Sequence, residues 1–263
     1  MAPRKKALAG TRILLANDDG IHAKGLAVLE AIAHALSDDV WVVAPETQQS
    51  GASHSLTVDA PLRVSHHGPQ RFAVNGTPTD CLLVGSRHLV EGRPPDLVLA
   101  GINEGSNLGE DVSYSGTVAA AKEATLLGMR AIAFSQERDS KGRLDWKTVE
   151  RHAPDLIRRI IELEWGRGVL VNVNFPARAP NAVSGVWIAS QGQRDLQIAI
   201  DQRTDPRGRD YFWIMDRSGG TVRKGTDLAA VAAGAIAVTP LHLDHTFRPA
   251  MTRFRRHLAG GTS

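Results

Sequence analysis

The stretch from Arg12 to Ala16 is apolar after its first residue and ends in Asn17, Asp18, Asp19 and Gly20. That is the pattern of a buried strand delivering polar groups into a loop. From Gly25 to Leu36, Leu26, Leu29, Ile32, Ala33 and Leu36 recur at helical spacing, and Val40 to Ala44 then reads as a strand that Pro45 stops. The chain therefore opens as a βαβ unit. Its two acidic residues are predicted at the carboxyl end of the first strand, where open parallel sheets place their sites.

Gln48 to His54 is polar, and the alternating, proline-punctuated region through Val74 predicts a small antiparallel excursion. Asn75 to Asp80 reads as a turn, Cys81 to Leu89 as a helix, and Asp96 to Ala100 as a core strand ending in GINEGSNLG. Thr117 to Leu127 is alanine-rich and helical, with Ser115 and Gly116 at its entrance. Arg130 to Phe134 and Val169 to Phe175 read as strands; between them Gln136 to Thr148 is charged and His152 to Leu163 carries a helical apolar face. Beyond Gly192 the chain turns polar through DPRGRD before Tyr211, Phe212 and Trp213, which predicts an arm or hairpin. Thr226 to Ala233 reads as a short helix, Ala235 to Thr239 as a strand, and the last twenty or so residues as peripheral. This alternation is that of an α/β protein.

Composition narrows the function. With 263 residues, 42% apolar and 22% charged, the chain builds a core and is neither disordered nor a coiled coil. Thirty-one basic against 28 acidic residues leave +3, too little to imply polymeric nucleic acid as a partner. Cys81 is the only cysteine, which excludes an intrachain disulfide and a cysteine-built zinc or iron-sulfur site. Acidic residues interrupt the N-terminal region before a signal-like segment forms, and Leu228 to Val238 falls short of the roughly 20 residues that cross a bilayer. The expectation is a cytoplasmic protein with no membrane contact.

Adjacent carboxylates such as Asp18 and Asp19 repel unless a cation or strong donors offset them. Oxygen ligation suits magnesium or manganese, although an Asp-Asp-Gly turn also serves simply to satisfy loop backbone. Ser50 and Asn103 stand in later glycine-containing loops, and the predicted sheet can bring Asp18, Asp19, Ser50 and Asn103 together; separate capping and turn roles are the competing reading. Gly101, Gly105, Gly109 and Gly116 surround Asn107, Ser115 and Thr117, a combination that permits close backbone approach and a phosphate at a helix N-terminus. In the alternative, Ser115 merely caps the helix and the glycines close turns. No GxxxxGK[ST] loop is present and no GxGxxG follows the first strand, so ATP hydrolysis and dinucleotide binding lose their usual supports.

These motifs resemble the SurE family of 5′/3′-nucleotidases, which are divalent-metal-dependent phosphomonoesterases. The resemblance is carried by ILLANDDGIHAKG (13–25), VVAPETQQSGASHSLT (42–57), NGTPTDC (75–81), AGINEGSNLGEDVSYSGTVAAAKEA (100–124), DPRGRDYFWI (205–214) and GTDLAAVAAGAIAVTPL (225–241), in family order through most of the chain. It implies a three-layer, Rossmann-like α/β core with a mixed, mainly parallel sheet, one SurE-like domain over 1–263. A protruding C-terminal arm, here 192–217, would exchange between subunits of a homodimer or homotetramer. It further implies that Asp18, Asp19, Ser50 and Asn103 hold one Mg2+ or Mn2+ per subunit. Asn107, Ser115, Gly116 and Thr117 would border the phosphate, and Asp18 and Asp19 would serve catalysis. Lys24 and Glu46 depart from the proline and aspartate usual at those positions of the family's motifs.

The implied reaction is hydrolysis of nucleoside 5′-monophosphates, with the 3′ isomers left open, to nucleoside and phosphate. A broad-specificity phosphomonoesterase or exopolyphosphatase is the alternative enzyme, and a phosphate-metabolite binding module the alternative of another class. His22 is a candidate for proton transfer that reads more readily as a surface or capping histidine, and His54 carries a similar ambiguity with a somewhat greater chance of facing substrate. Arg194, Arg203, Arg207 and Arg209 can attract an anion, but the aspartates interspersed among them favour a solvated arm face.

Overall fold

The computed structural model describes residues 7–195, 198–216 and 222–258. Its first half contains β1 (Arg12–Ala16), α1 (Lys24–Leu36), β2 (Asp39–Pro45), β3 (Val64–Gly68), β4 (Arg71–Val74), α2 (Pro78–Val84), β5 (Leu97–Glu104), α3 (Asp111–Tyr114) and α4 (Gly116–Leu126). The second half adds β6 (Arg130–Gln136), α5 (Lys147–Ile161), β7 (Val169–Phe175), β8 (Val186–Ile188), β9 (Ile198–Thr204), β10 (Asp210–Asp216), α6 (Asp227–Ala232), β11 (Ile236–His242) and α7 (Arg248–Leu258).

Nine strands form one sheet in the order β3-β4-β2-β1-β5-β6-β7-β11-β8. The six from β4 to β7 run parallel, while β3 is antiparallel to β4 and β11 antiparallel to β7. Alternation along β1 divides the core: Ile13 and Leu15 face the layer containing α1 and α5, whereas Leu14 and Ala16 face α2 and α4. Both faces of the central strands are thus covered, which is why they read as continuous apolar runs. The fold is the expected three-layer, Rossmann-like α/β sandwich.

Several boundaries differ from the sequence reading: α5 begins at Lys147 rather than His152, β11 runs to His242 rather than Thr239, and two further differences bear on the site. The helix expected from Cys81 starts at Pro78, because Thr77 and Asp80 form a reciprocal capping box with proline in the first turn, and it continues as a wider π turn over Gly85–Leu89. Strand β5 runs past Ala100 to Glu104, with a register shift between Ala100 and Asn103. Gly101 has φ +126°, and a Cβ there would lie 2.4 Å from the Phe134 carbonyl oxygen, so only glycine lets the strand kink against β6 and carry Asn103 onward.

β9 and β10 pair antiparallel with each other across Asp205 to Arg209. The hairpin exposes Ile200, Phe212, Trp213 and Ile214. Within the arm expected over 192–217, Leu196, Gln197 and Arg217 lie outside the described residues. β8, which the sequence reading did not contain, is a three-residue edge strand, and α7 has no buried residue, as expected of a peripheral tail.

Candidate active site

From β1 the chain passes to β2 on one side, while β5, β6 and β7 step outward on the other. At this reversal the loops diverge and leave a crevice at the carboxyl ends of the strands. Asn17 closes the turn after β1, its side chain bonding Gly20 as donor at 2.9 Å and acceptor at 3.3 Å. The loop after β2 is tied to it by Gln49 N–H donating to the Asp18 carbonyl at 2.7 Å. The resulting depression, about 280 Å3, is lined by Asp18, Asp19, Ser50, Asn103, Asn107 and Ser115 among others. The structure therefore gathers residues that lie as far apart in the chain as 18 and 115.

Asp18 is only 4% exposed, and its Oδ1 accepts a hydrogen bond from Thr117 Oγ1. Gly116 packs flat against it: a Cβ at 116 would lie 2.7 Å from Asp18 Cβ and 3.0 Å from Pro78 Cγ. Ser115 caps α4 by accepting from Val118 N–H at 3.0 Å. The amides of Gly116 and Thr117 and the positive end of the helix are thus turned toward a carboxylate. Burial nevertheless pushes Asp18 above the ordinary carboxylate range, against the hydrogen bonds from Thr117 and Gly116. Burial also raises Asp19 to about 6, followed by repulsion from Asp18; Glu104 N–H, 3.3 Å from Asp19 Oδ2, and the Arg138 charge oppose the rise.

Asn103 Nδ2 donates to the Gly105 carbonyl at 2.8 Å, leaving Oδ1 toward Thr117 Oγ1 at 3.5 Å. Ser50 is exposed on the rim, where its Oγ accepts from Gln48 Nε2 at 2.9 Å. Asn107 is anchored more deeply. Its N–H donates to Asn174 Oδ1 and its Nδ2 to Ser135 Oγ, both at 2.8 Å, while its carbonyl accepts from Asn172 and Asn174 at 2.8 and 3.1 Å. Sequence reasoning missed this support, although two amides at alternate positions of the otherwise apolar VLVNVNF were a visible signal. It also missed Glu104 and Arg138, which line the same depression.

The donor set fits a hard divalent cation. Two carboxylates, an amide oxygen and a hydroxyl are oxygen ligands of the kind magnesium and manganese take. The two acids are held close enough for mutual repulsion to raise Asp19. Among the described residues, no group of three or more His, Cys, Asp or Glu side chains is arranged to hold a metal, so the candidate set depends on its neutral oxygens.

Neither candidate histidine lines the depression. His54 Nε2 pairs with Glu123 Oε2 at 2.9 Å, and the His22 ring packs edge-on to His67 at 5.1 Å. Arg194 is not on a solvated arm face: both of its terminal nitrogens bond Asp111 at 2.8 Å and its N–H bonds Glu110. Acidic partners on α3 and just before it draw it against the body of the protein. Arg203 and Arg209 do pair locally on the exposed hairpin, with Asp201 and Asp205. Lys24 opens α1, and Glu46 accepts from Ser65 Oγ at 3.3 Å; neither lines the depression.

A family model described as survival protein SurE matches residues 13–198. The 5′-nucleotidase SurE of Brucella canis (strain ATCC 23365 / NCTC 10854 / RM-666) is 55% identical over 239 residues, covering 89% of this chain and 93% of its own. The protein of the same name from Methylobacterium sp. (strain 4-46) is 54% identical over 251 residues, covering 94% and 99%. Among solved structures, that of the SurE protein from Aquifex aeolicus matches with a TM-score of 0.82 at 36% identity, over 94% of this chain and 99% of that one.

Proposed function

Because the chain belongs to the SurE family, we propose that it is a divalent-cation-dependent 5′-nucleotidase, releasing phosphate from nucleoside monophosphates. The observation that carries this reading is the convergence of Asp18, Asp19, Ser50 and Asn103 on one depression at the sheet's reversal point. Those four side chains would hold Mg2+ or Mn2+, one per subunit. The cation, when bound, supplies a Lewis acid that polarises the phosphoryl oxygen and offsets charge developing in the transition state.

The chain's own groups divide the remaining work. Asp18, locked between Thr117 and the end of α4, is suited to a ligand role alone. Asp19 is only partly buried and lines the depression, where its carboxylate can take a proton from an attacking water. Ser115 uses a lone pair on the helix cap and keeps its hydroxyl proton to donate to a phosphate oxygen. Asn107 braces the far wall of the depression. Gly116 and Thr117 act through Asp18.

The same reading makes the protein a cytoplasmic homodimer or homotetramer. A single cysteine supports a reducing compartment, and the apolar side chains exposed on β9 and β10 support subunit contact. No described helix is long and apolar enough to cross a membrane.

The test is phosphate release from matched 5′- and 3′-nucleoside monophosphates by metal-stripped protein, with and without Mn2+ or Mg2+, beside Asp19→Asn. Metal-restored release that the variant lacks supports the reading and ranks the substrates. Tight binding of metal and nucleotide without turnover makes the protein a binding module instead.

A further inference from the structure

The depression brings the carboxylates of Asp18, Asp19, Glu104 and Asp111 to its wall, and Arg138 is the one basic side chain among the described residues lining it. A divalent cation does no more than balance the two carboxylates that no arginine matches, so a phosphate dianion arriving there brings negative charge with no further cation to meet it. Asp111 is already matched by Arg194, which leaves Glu104 and Arg138 as the adjustable pair.

Arg138 Nη2 donates to Glu104 Oε2 at 2.9 Å, Nε to the Glu104 carbonyl at 3.3 Å, and Nη1 to the Gly142 carbonyl at 3.1 Å. The two side chains are 44% and 33% exposed, so this is a rim ion pair of the kind that contributes little and exchanges readily. A guanidinium gains more from two phosphoryl oxygens in its own plane. The loop does not depend on the arrangement: Asp139 accepts from the Lys141 and Arg143 amides at 2.9 Å and pairs with the Arg143 side chain.

We propose that Arg138 is a substrate-binding residue that leaves Glu104 to take the phosphoryl oxygens of the incoming monophosphate. The inference rests on the phosphomonoester reading of the site and adds a chain-specific anion contact to it. Glu104 then acts as a gate, since it competes with phosphate for the same guanidinium. The rival possibility is that Arg138 only positions Glu104, whose backbone N–H holds Asp19; that role would act on the cation rather than on phosphate.

Calorimetric binding of inorganic phosphate to the Mn2+-loaded protein separates the two, using Arg138→Gln, Glu104→Gln and the double variant, with Mn2+ affinity measured alongside. We expect Arg138→Gln to weaken phosphate about tenfold, the loss of one charge-assisted bidentate contact, with Mn2+ affinity not weakened. Glu104→Gln should tighten phosphate in the parent and have little effect once Arg138 is gone. The proposal is overturned by any of three results. These are unchanged phosphate affinity in Arg138→Gln, an equal effect of Glu104→Gln in both backgrounds, or a collapse of Mn2+ affinity in Arg138→Gln. Turnover of nucleoside monophosphates is read separately: phosphate binding with the expected pattern but no release would sink the nucleotidase reading and leave the anion contact standing.

Discussion

Thr117 donates its hydroxyl proton to Asp18 across 99 residues of chain, joining the first turn of α4 to the loop after β1. The bond turns the helix end toward a carboxylate, and with it any cation that carboxylate holds.

Removing that donor should be felt at the metal. Thr117→Val keeps the shape and deletes the hydroxyl, and we expect Mn2+ affinity to fall about tenfold, the size of effect typical when a ligand's outer partner is lost. Thr117→Ser restores the donor and should recover most of it. Titration of metal-stripped protein with Mn2+ checks both.

Gly116→Ala asks for space that does not exist. Its Cβ would meet Asp18 Cβ at 2.7 Å, in a helix whose backbone needs nothing unusual of the residue. We expect a cost of about 1–3 kcal/mol from overpacking. Metal-dependent activity should fall by more than the stability does, because the atom displaced belongs to a ligand. Thermal melts beside kinetics distinguish the two effects.

Cation affinity should depend on Asp19. A carboxyl raised from 3.8 to about 6 favours the folded protein while protonated. Its contribution is complete below its unfolded value and is lost as pH climbs through 6. The metal-free protein should therefore gain stability from this group on acidification, while Mn2+ affinity falls toward about tenfold per unit below pH 6 as a proton competes for the site. Asp19→Asn should bind more weakly and flatten that part of the profile. Melting temperature with and without Mn2+ across pH 5 to 8 measures both.

The asparagine cluster carries its own prediction. Asn174→Ala leaves the buried Asn107 N–H without its acceptor, which should cost about 1–3 kcal/mol, seen in a denaturant titration. Phosphate affinity should weaken with it, since Asn107 walls the depression.

Most of the architecture was readable along the chain because burial on both faces of a parallel strand leaves a local trace. Arg12 to Ala16 is apolar throughout after its first residue, and α1 repeats its apolar residues every three or four positions. Capping and backbone geometry were harder to read. The start of α2 depended on a reciprocal bond between Thr77 and Asp80, and the extension of β5 on a kink at Gly101 against β6. β8 has only three residues, too short for periodicity to register.

At the site the division is similar. At the sequence level, residue types and the strand pattern made Asp18, Asp19, Ser50 and Asn103 one candidate set beside separate capping and turn roles, and it was the family resemblance that chose between the two; the sheet brings all four to one depression. Which partner each side chain takes was decided by the packed sheet. Thr117 and Gly116 turn toward Asp18, Asn107 is held by two amides from β7, and Arg138 reaches Glu104 across neighbouring strand ends. Strand pairing sets such distances between positions far apart in sequence, and a hydrogen bond or charge contact acts only over a few ångströms, so its partners exist only once the sheet has closed.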